Sequence, residues 1–201
     1  MPNTGTKTEL AKAFNRLVAI GDLGTQLFWL NRESKHFEYA LPVVSGAEFG
    51  GDTETIDAPE SDSAKVAKVS GRTTLNDVTY NSNYTADRYE RLLQILDATD
   101  SQTYIEVFSD GSAMMFGGTS GEPTLSGEDR KNIEFTIAPQ AEQWIKNVFS
   151  LTADDVANLQ PMMVDNTGAD IEITASESLP FDVDTIPTGR ESIVEEKYDA
   201  E

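Results

Sequence analysis

The cleanest periodicity in the chain lies at residues 132–139, where Ile133, Phe135 and Ile137 alternate with Glu134 and Thr136. A period of two puts the apolar three on one face of a strand and the polar two on the other. Tyr89, Leu92, Leu93 and Leu96 follow the other period, i, i+3, i+4 and i+7. That stripe predicts a helix over about 85–97, with Thr85 or an Asp87–Glu90 capping box at its start. Between these two patterns, Tyr104–Ser109 and Ser112–Phe116 flank Asp110-Gly111, which predicts a hairpin closed by a type I′ turn. Thr25–Leu30 and Phe37–Leu41 read as two earlier strands, the second stopped by Pro42. Thr73–Tyr84, rich in Thr and Tyr, reads as one strand of the main sheet. Val78 and Tyr80 share its face, while Leu75 falls on the other unless a bulge intervenes.

Other stretches are less regular. Residues 10–20 fit a helix through Leu10, Phe14, Leu17 and Val18, or a strand toward Ile20. Residues 45–63 read as an exposed loop with Thr53–Asp57 extended within it, and 117–127 as a second loop. Trp144, Ile145, Val148 and Phe149 form a stripe in a second helical region over 141–159, where Thr152–Asp155 looks like a cap. Both tryptophans, Trp29 and Trp144, fall in core-like patterns, and Ile171–Thr174 reads as a last strand. From about Glu177 prolines and acids replace apolar residues. The expected fold is therefore mainly β with α: an antiparallel β-sandwich or barrel with one flanking helix, a long inter-strand loop and an acidic C-terminal arm. The expected division is a β-sandwich domain over 1–176 and the arm over 177–201.

Charge then narrows what such a fold does. The 201 residues include 35 acids and 15 Lys or Arg, for a formal charge of −20, which opposes tight binding to nucleic acid or to anionic membranes. With no cysteine and only His36, disulfides, thiolate chemistry and a multi-histidine zinc site are excluded. The longest early apolar run, Leu17–Ile20, is far too short to span a bilayer, and the opening Met-Pro-Asn-Thr-Gly lacks a signal-peptide pattern. The charge is also uneven. Residues 42–64 hold six acids and no base, and 165–201 hold eleven acids against Arg190 and Lys197. The one basic concentration, Lys65, Lys68, Arg72, Arg88 and Arg91, lies directly after the first acidic block. In a self-assembling protein these two segments could meet across an interface and set its register.

No catalytic constellation emerges. The close acid pairs Asp97/Asp100, Asp154/Asp155 and Asp182/Asp184 sit where short acids cap helices and turns. Asp165–Asp170 lacks the spacing and terminal Glu of a calcium loop, and Gly117–Gly121 lacks the Lys-Ser/Thr of a phosphate loop. His36 lies in a polar surface setting. The chain is expected to be no enzyme and to hold no cofactor or metal.

One ordered set of motifs remains. Gly46–Asp62 contains Gly-Gly-Asp-Thr-Glu-Thr-Ile-Asp. Next come Lys65–Gly71, then Leu75-Asn-Asp-Val-Thr-Tyr-Asn-Ser-Asn-Tyr84, then Tyr89-Glu-Arg-Leu-Leu93. Together with the Phe108-Ser-Asp-Gly-Ser112 hairpin and the Ile133–Ile137 strand, this order resembles the major tail tube proteins of long-tailed, non-contractile bacteriophages, over roughly residues 15–140. The resemblance implies a β-sandwich-like subunit with one helix. It implies self-assembly into hexameric rings stacked as a hollow tube, with the sheets of neighbouring subunits joined edge to edge. It also implies partners: the tape measure protein, the tail terminator and tail-tip proteins, and DNA passing through without binding. The location implied is the virion tail, after assembly in the host cytoplasm. Residues 46–70 would be the loop reaching the next ring, with Asp52, Glu54 and Asp57 meeting Lys65, Lys68 or Arg72 of a neighbour. Glu134 and Thr136, and more weakly Glu106, are the candidates to face the lumen. A carboxylate wall there would repel DNA over a screening length of about 10 Å at 0.1 M salt. The alternative is a monomeric β-sandwich module that binds a receptor or glycan.

Overall fold

The computed structural model describes residues 6–18, 25–45, 48–58, 67–96, 101–128, 131–159, 163 and 179–187. The elements in chain order are α1 (Lys7–Val18), β1 (Gln26–Asn31), β2 (His36–Pro42), β3 (Gly51–Ala58), β4 (Ala67–Leu75), β5 (Val78–Asn83), α2 (Ala86–Leu96), β6 (Gln102–Val107), β7 (Ala113–Ser120), β8 (Thr124–Ser126), β9 (Asn132–Ile145) and α3 (Ala153–Leu159). Short 3₁₀ turns at Val148–Ser150 and Val183–Thr185 complete them. Six strands form one antiparallel sheet in the order β2-β1-β6-β7-β9-β5, with β8 beside β9; β3 and β4 pair only with each other. The sheet curls so far that the chain leaving β2 meets β5, where Val44 N–H donates to Asn81 O and Asn81 Nδ2 donates to Ser45 Oγ. The architecture is a curled half-barrel with flanking helices.

Each face of the sheet has its own core. The outer core holds Phe28, Leu30, Phe37, Ile105, Val107 and Met115, covered by Leu10 of α1 and by Val156 and Leu159 of α3. The inner core holds Leu27, Leu41, Val78, Tyr80, Tyr104, Phe116, Ile133, Phe135 and Ile137, plugged by Leu92 and Ile95 of α2. The alternation of residues 133–137 is as expected, with its three apolar members fully buried. Two single-residue bulges let one sheet serve both cores. Leu27 pairs with Leu41 and Phe28 with Tyr39, so Ala40 is extra. Gly117 pairs with Ala141 and Gly118 with Pro139, so Gln140 is extra. Each extra residue reverses the parity of the rest of its strand. At the second bulge a Cβ on Gly118 would lie 2.4 Å from Ala138 O, so only glycine fits the approach.

Several expectations are corrected. Residues 10–18 are helical, started by a Thr6–Glu9 capping box in which Glu9 N–H donates to Thr6 Oγ1 and Thr6 N–H to Glu9 Oε2. Within the expected 45–63 loop, Thr53–Asp57 is extended as read, but it lies in β3, which pairs with β4 in a separate two-stranded sheet; Leu75 ends β4, so its odd parity reflects a different sheet from Val78 and Tyr80 and no bulge. β7 and β8 occupy much of the expected 117–127 loop. In 141–159 only Ala153–Leu159 is α-helical. Trp144 and Ile145 continue β9, and Trp144 is 57% exposed rather than core. Thr152 does cap α3, exchanging hydrogen bonds with Asp155. In α2 the N-cap is Thr85, which receives Arg88 N–H, and Ile95 replaces the exposed Leu93 in the buried stripe. The Asp110-Gly111 hairpin forms, but only Gly111 has positive φ (83°). Gly111 N–H donates to Phe108 O and Phe108 N–H to Ser112 O, the three-residue hairpin rather than type I′. Residues 171–174 lie outside the described residues.

Residues 179–187, expected in the arm, pack against the sheet. Phe37 N–H donates to Pro180 O and Asp182 N–H to Phe37 O, a parallel bridge along the outer edge of β2. Phe181 is fully buried, 5.4 Å from the rings of both Phe28 and Phe37 and 6.1 Å from Phe14. Residues 179–187 are thus part of the domain. Phe181→Ala should cost about 3–5 kcal/mol in denaturant unfolding, the range for a deleted buried aromatic. A change under about 0.5 kcal/mol, as for a solvated tail, would refute this placement.

Candidate functional site

Two surfaces carry the sequence-derived candidates. The first is the β3–β4 hairpin. Its register places Asp57 directly opposite Lys68, Ile56 opposite Val69, Asp52 opposite Thr74 and Thr53 opposite Thr73, with the two threonine hydroxyls 3.0 Å apart. Glu54 lies at an irregularity between Thr53 and Thr55. Asp52, Glu54, Asp57, Lys68 and Arg72 are all exposed, and Lys65 lies outside the described residues. Ile56 is 48% exposed, and its side chain leans across Gly71, where a Cβ would sit 3.0 Å from Cδ1. Among its described residues the hairpin supplies none to either core. A two-stranded ribbon is marginal by itself in water, so this one is a surface that gains by being covered. Antiparallel folding also sets the acids of β3 against the bases of β4 within one chain, facing each other at Asp57 and Lys68.

The second surface is the outward face of the first half of β9. Glu134 is exposed and lies opposite Asn81 of β5 and Thr124 of β8; Thr136 is half-buried and its hydroxyl is 3.1 Å from that of Thr79. The face is a panel of threonine and asparagine with one carboxylate, Glu134.

Glu106 does not belong to it. It is fully buried on the inner face, where Tyr80 Oη donates to its Oε2 at 2.8 Å and its Oε1 has no hydrogen-bond partner among the described residues. The lumen expectation for Glu106 is therefore overturned. The sequence carries the signal: Glu106 shares parity with Tyr104, a core residue. Burial lifts its carboxyl to about 7, with the Tyr80 hydrogen bond acting the other way.

The remaining candidates have structural uses. His36 Nδ1 is hydrogen-bonded to Ser34 O. Asp182 accepts from Asp184 N–H, and Asp155 caps α3. Arg88 donates to Asn83 O, and Arg91 lies over the Tyr39 ring at 5.7 Å. Asp97, Asp100 and Asp165–Asp170 lie outside the described residues. Among the described residues no group of three or more His, Cys, Asp or Glu is placed to hold a metal, and no helix is long and apolar enough to cross a membrane.

No protein-family model matches the chain, and no curated protein matches it significantly. Solved structures give partial likenesses. The tail of an empty gene transfer agent particle, refined helically with C6 symmetry, aligns at TM-score 0.46 and 15% identity over 59% of this chain and 94% of that one. The virion of the native gene transfer agent particle gives 0.44 and 15% over 59% and 94%. The six-fold symmetrised anti-feeding prophage baseplate gives 0.41 and 7% over 63% and 94%. With TM-scores below 0.5, these likenesses carry no functional argument for this chain.

Because no described residue of the hairpin belongs to the cores and Gly51 pairs with Leu75 at its base, replacing Gly51–Leu75 by a short Gly-Ser link should leave the fold intact. The expected change in Tm is under about 4 °C, the shift that roughly 1 kcal/mol gives in a chain of this size. A larger drop, or loss of cooperative unfolding, would show the hairpin to be structural.

Proposed function

We propose that the chain is a structural subunit that assembles with copies of itself into the stacked rings of a tail tube of a long-tailed, non-contractile phage. The observation that carries the proposal is the β3–β4 hairpin, a largely exposed ribbon with Ile56 half uncovered and no described residue in the subunit's own cores. It overlaps residues 46–70, the segment that the motif resemblance assigns to contact with the next ring. In this reading Ile56 gives the contact its apolar content. Asp52, Glu54 and Asp57, with Lys65, Lys68 and Arg72, set its register. The panel around Glu134 and Thr136 faces the lumen, where hydroxyls, amides and a carboxylate offer DNA phosphates no cation to bind. The tape measure protein, tail terminator and tail-tip proteins are the remaining partners of such a tube, which would be built in the host cytoplasm and reside in the virion tail.

A second reading has one observation in its favour. Trp144 is 57% exposed and lies 6.0 Å from the Phe108 ring, the kind of aromatic platform a receptor- or glycan-binding module presents.

Negative-stain imaging of the purified chain separates the two. Tubes or stacked rings are expected from the full chain, and unstacked rings from the variant lacking Gly51–Leu75. Monomers at high concentration, together with saccharide binding abolished by Trp144→Ala, would establish the second reading instead. Glu134→Lys should leave tubes assembling while DNA delivery slows, measured as infectivity; unchanged infectivity would remove Glu134 from the lumen.

A further inference from the structure

The hydrogen bond between Tyr80 and Glu106 lies inside the inner core and has an unusual span. Tyr80 is on β5, at one end of the sheet, and Glu106 on β6, with β7 and β9 lying between. The hydrogen bond therefore crosses the hollow of the half-barrel instead of running along the sheet. Both residues are fully buried. On the strands beside Glu106 its register partners are Leu27 and Met114, and α2 closes the hollow with Leu92 and Ile95. The titratable groups facing this region are Tyr80 from β5, Tyr104 from β6 and Glu142 from β9. Glu142 Oε1, like Glu106 Oε1, is buried and has no hydrogen-bond partner among the described residues. The arginines of α2 are directed elsewhere, Arg88 to Asn83 O and Arg91 to the Tyr39 ring. β1 and β7 contribute no charged side chain, since Gln26–Asn31 and Ala113–Ser120 contain none. An ionised Glu106 thus gains one charge-assisted hydrogen bond and meets no cation among the described residues, which leaves most of its desolvation cost uncompensated.

We propose that Glu106, buried in the hollow and bonded across it to Tyr80, is a proton-controlled strut: protonated, its carboxyl is accommodated in the closed hollow between β5, α2 and β6, and ionised, its uncompensated buried charge loosens that closure. The proton goes to and comes from solvent, and no other bond changes. The consequence for stability has a definite sign. Glu106 is raised from an ordinary 4.5 to about 7 by burial. The stability it contributes is therefore fully present below about 4.5 and is lost as pH rises through about 7. Tyr80, held well above its ordinary value by burial and by Glu106, stays protonated throughout this window.

The test is denaturant unfolding of the full chain at pH 6 and pH 8 for the wild type, Glu106→Gln and Tyr80→Phe. Self-repulsion of a −20 chain also varies with pH, but the wild type and the variants share it. The wild-type folding constant should fall about tenfold more between the two pH values than that of Glu106→Gln, the amount one carboxyl with these two pKa values contributes. Tyr80→Phe should keep the wild-type pH dependence or steepen it, because it removes the one hydrogen bond that favours the charged form. Equal pH dependence in wild type and Glu106→Gln would overturn the proposal. Should Glu106→Gln not fold, the carboxyl-carbon NMR titration of Glu106 in the wild type decides. A midpoint near 7 supports the strut, and one below 5 overturns it.

Discussion

Every part of this domain depends on one constraint, that a single curled sheet must bury both of its faces. Strict alternation along β9 would keep Ala141 and Ile145 on the side of Ile137, inside the half-barrel. The extra residue Gln140 turns them to the outer core instead, against Val148 and Leu151. Ala40 does the corresponding job on β2, leaving Phe37 and Tyr39 outside and Leu41 inside with Leu27. The bulges have side effects. The one in β9 aims Trp144 away from the outer core into solvent, and brings Glu142 to the face that also carries Glu106. The exposed aromatic and the half-buried carboxylate are thus two consequences of one inserted residue.

A sheet curled this way has two terminal strands to protect, because unpaired edges invite other strands. The outer edge of β2 is covered by residues 180–182, and Phe181 anchors that cover among Phe14, Phe28 and Phe37. Val44 and Ser45 bridge to β5 at Asn81. Both covers come from chain segments that read as irregular in the sequence. Apolar residues of 179–186 sit among acids, and their periodicity is too short to mark a strand, yet burial of Leu179, Phe181 and Ile186 fixes them.

Legibility in the sequence obeys the same logic. Wherever one local pattern decides an element, as in Ile133–Ile137, in α2 or at Asp110-Gly111, the expectation holds to within a residue or a turn type. Thr6-x-x-Glu9 and Thr152-x-x-Asp155 are equally local, and the first resolves the helix-or-strand ambiguity of residues 10–18. Parity set by a bulge is different, because it depends on a partner strand remote in sequence. Trp144, Ile145, Val148 and Phe149 imitate a helical stripe because strand, bulge and 3₁₀ turn happen to place apolar residues at that spacing. Glu106 misleads for the reverse reason: a charged side chain suggests solvent, whereas its parity with Tyr104 puts it in the core. At the candidate site, the acidic and the basic segment are legible in the sequence, but not that they form two strands of one hairpin and face one another.

That last point changes how charge can act in the proposed assembly. With Asp57 opposite Lys68 on the same ribbon, an acid and a base already face each other within one chain before any neighbour arrives. Exposed ion pairs contribute at most about 1 kcal/mol each, so exchanging an intrachain partner for an interchain one gains little free energy. Charge can then choose the register between rings, since like-charge juxtapositions are penalised, but it cannot supply most of the adhesion. The adhesion must come from apolar area, and on this hairpin the described residue that offers it is Ile56, held out across Gly71 where a larger residue would collide with it. A division of labour results, in which one isoleucine side chain binds and the charges around it select.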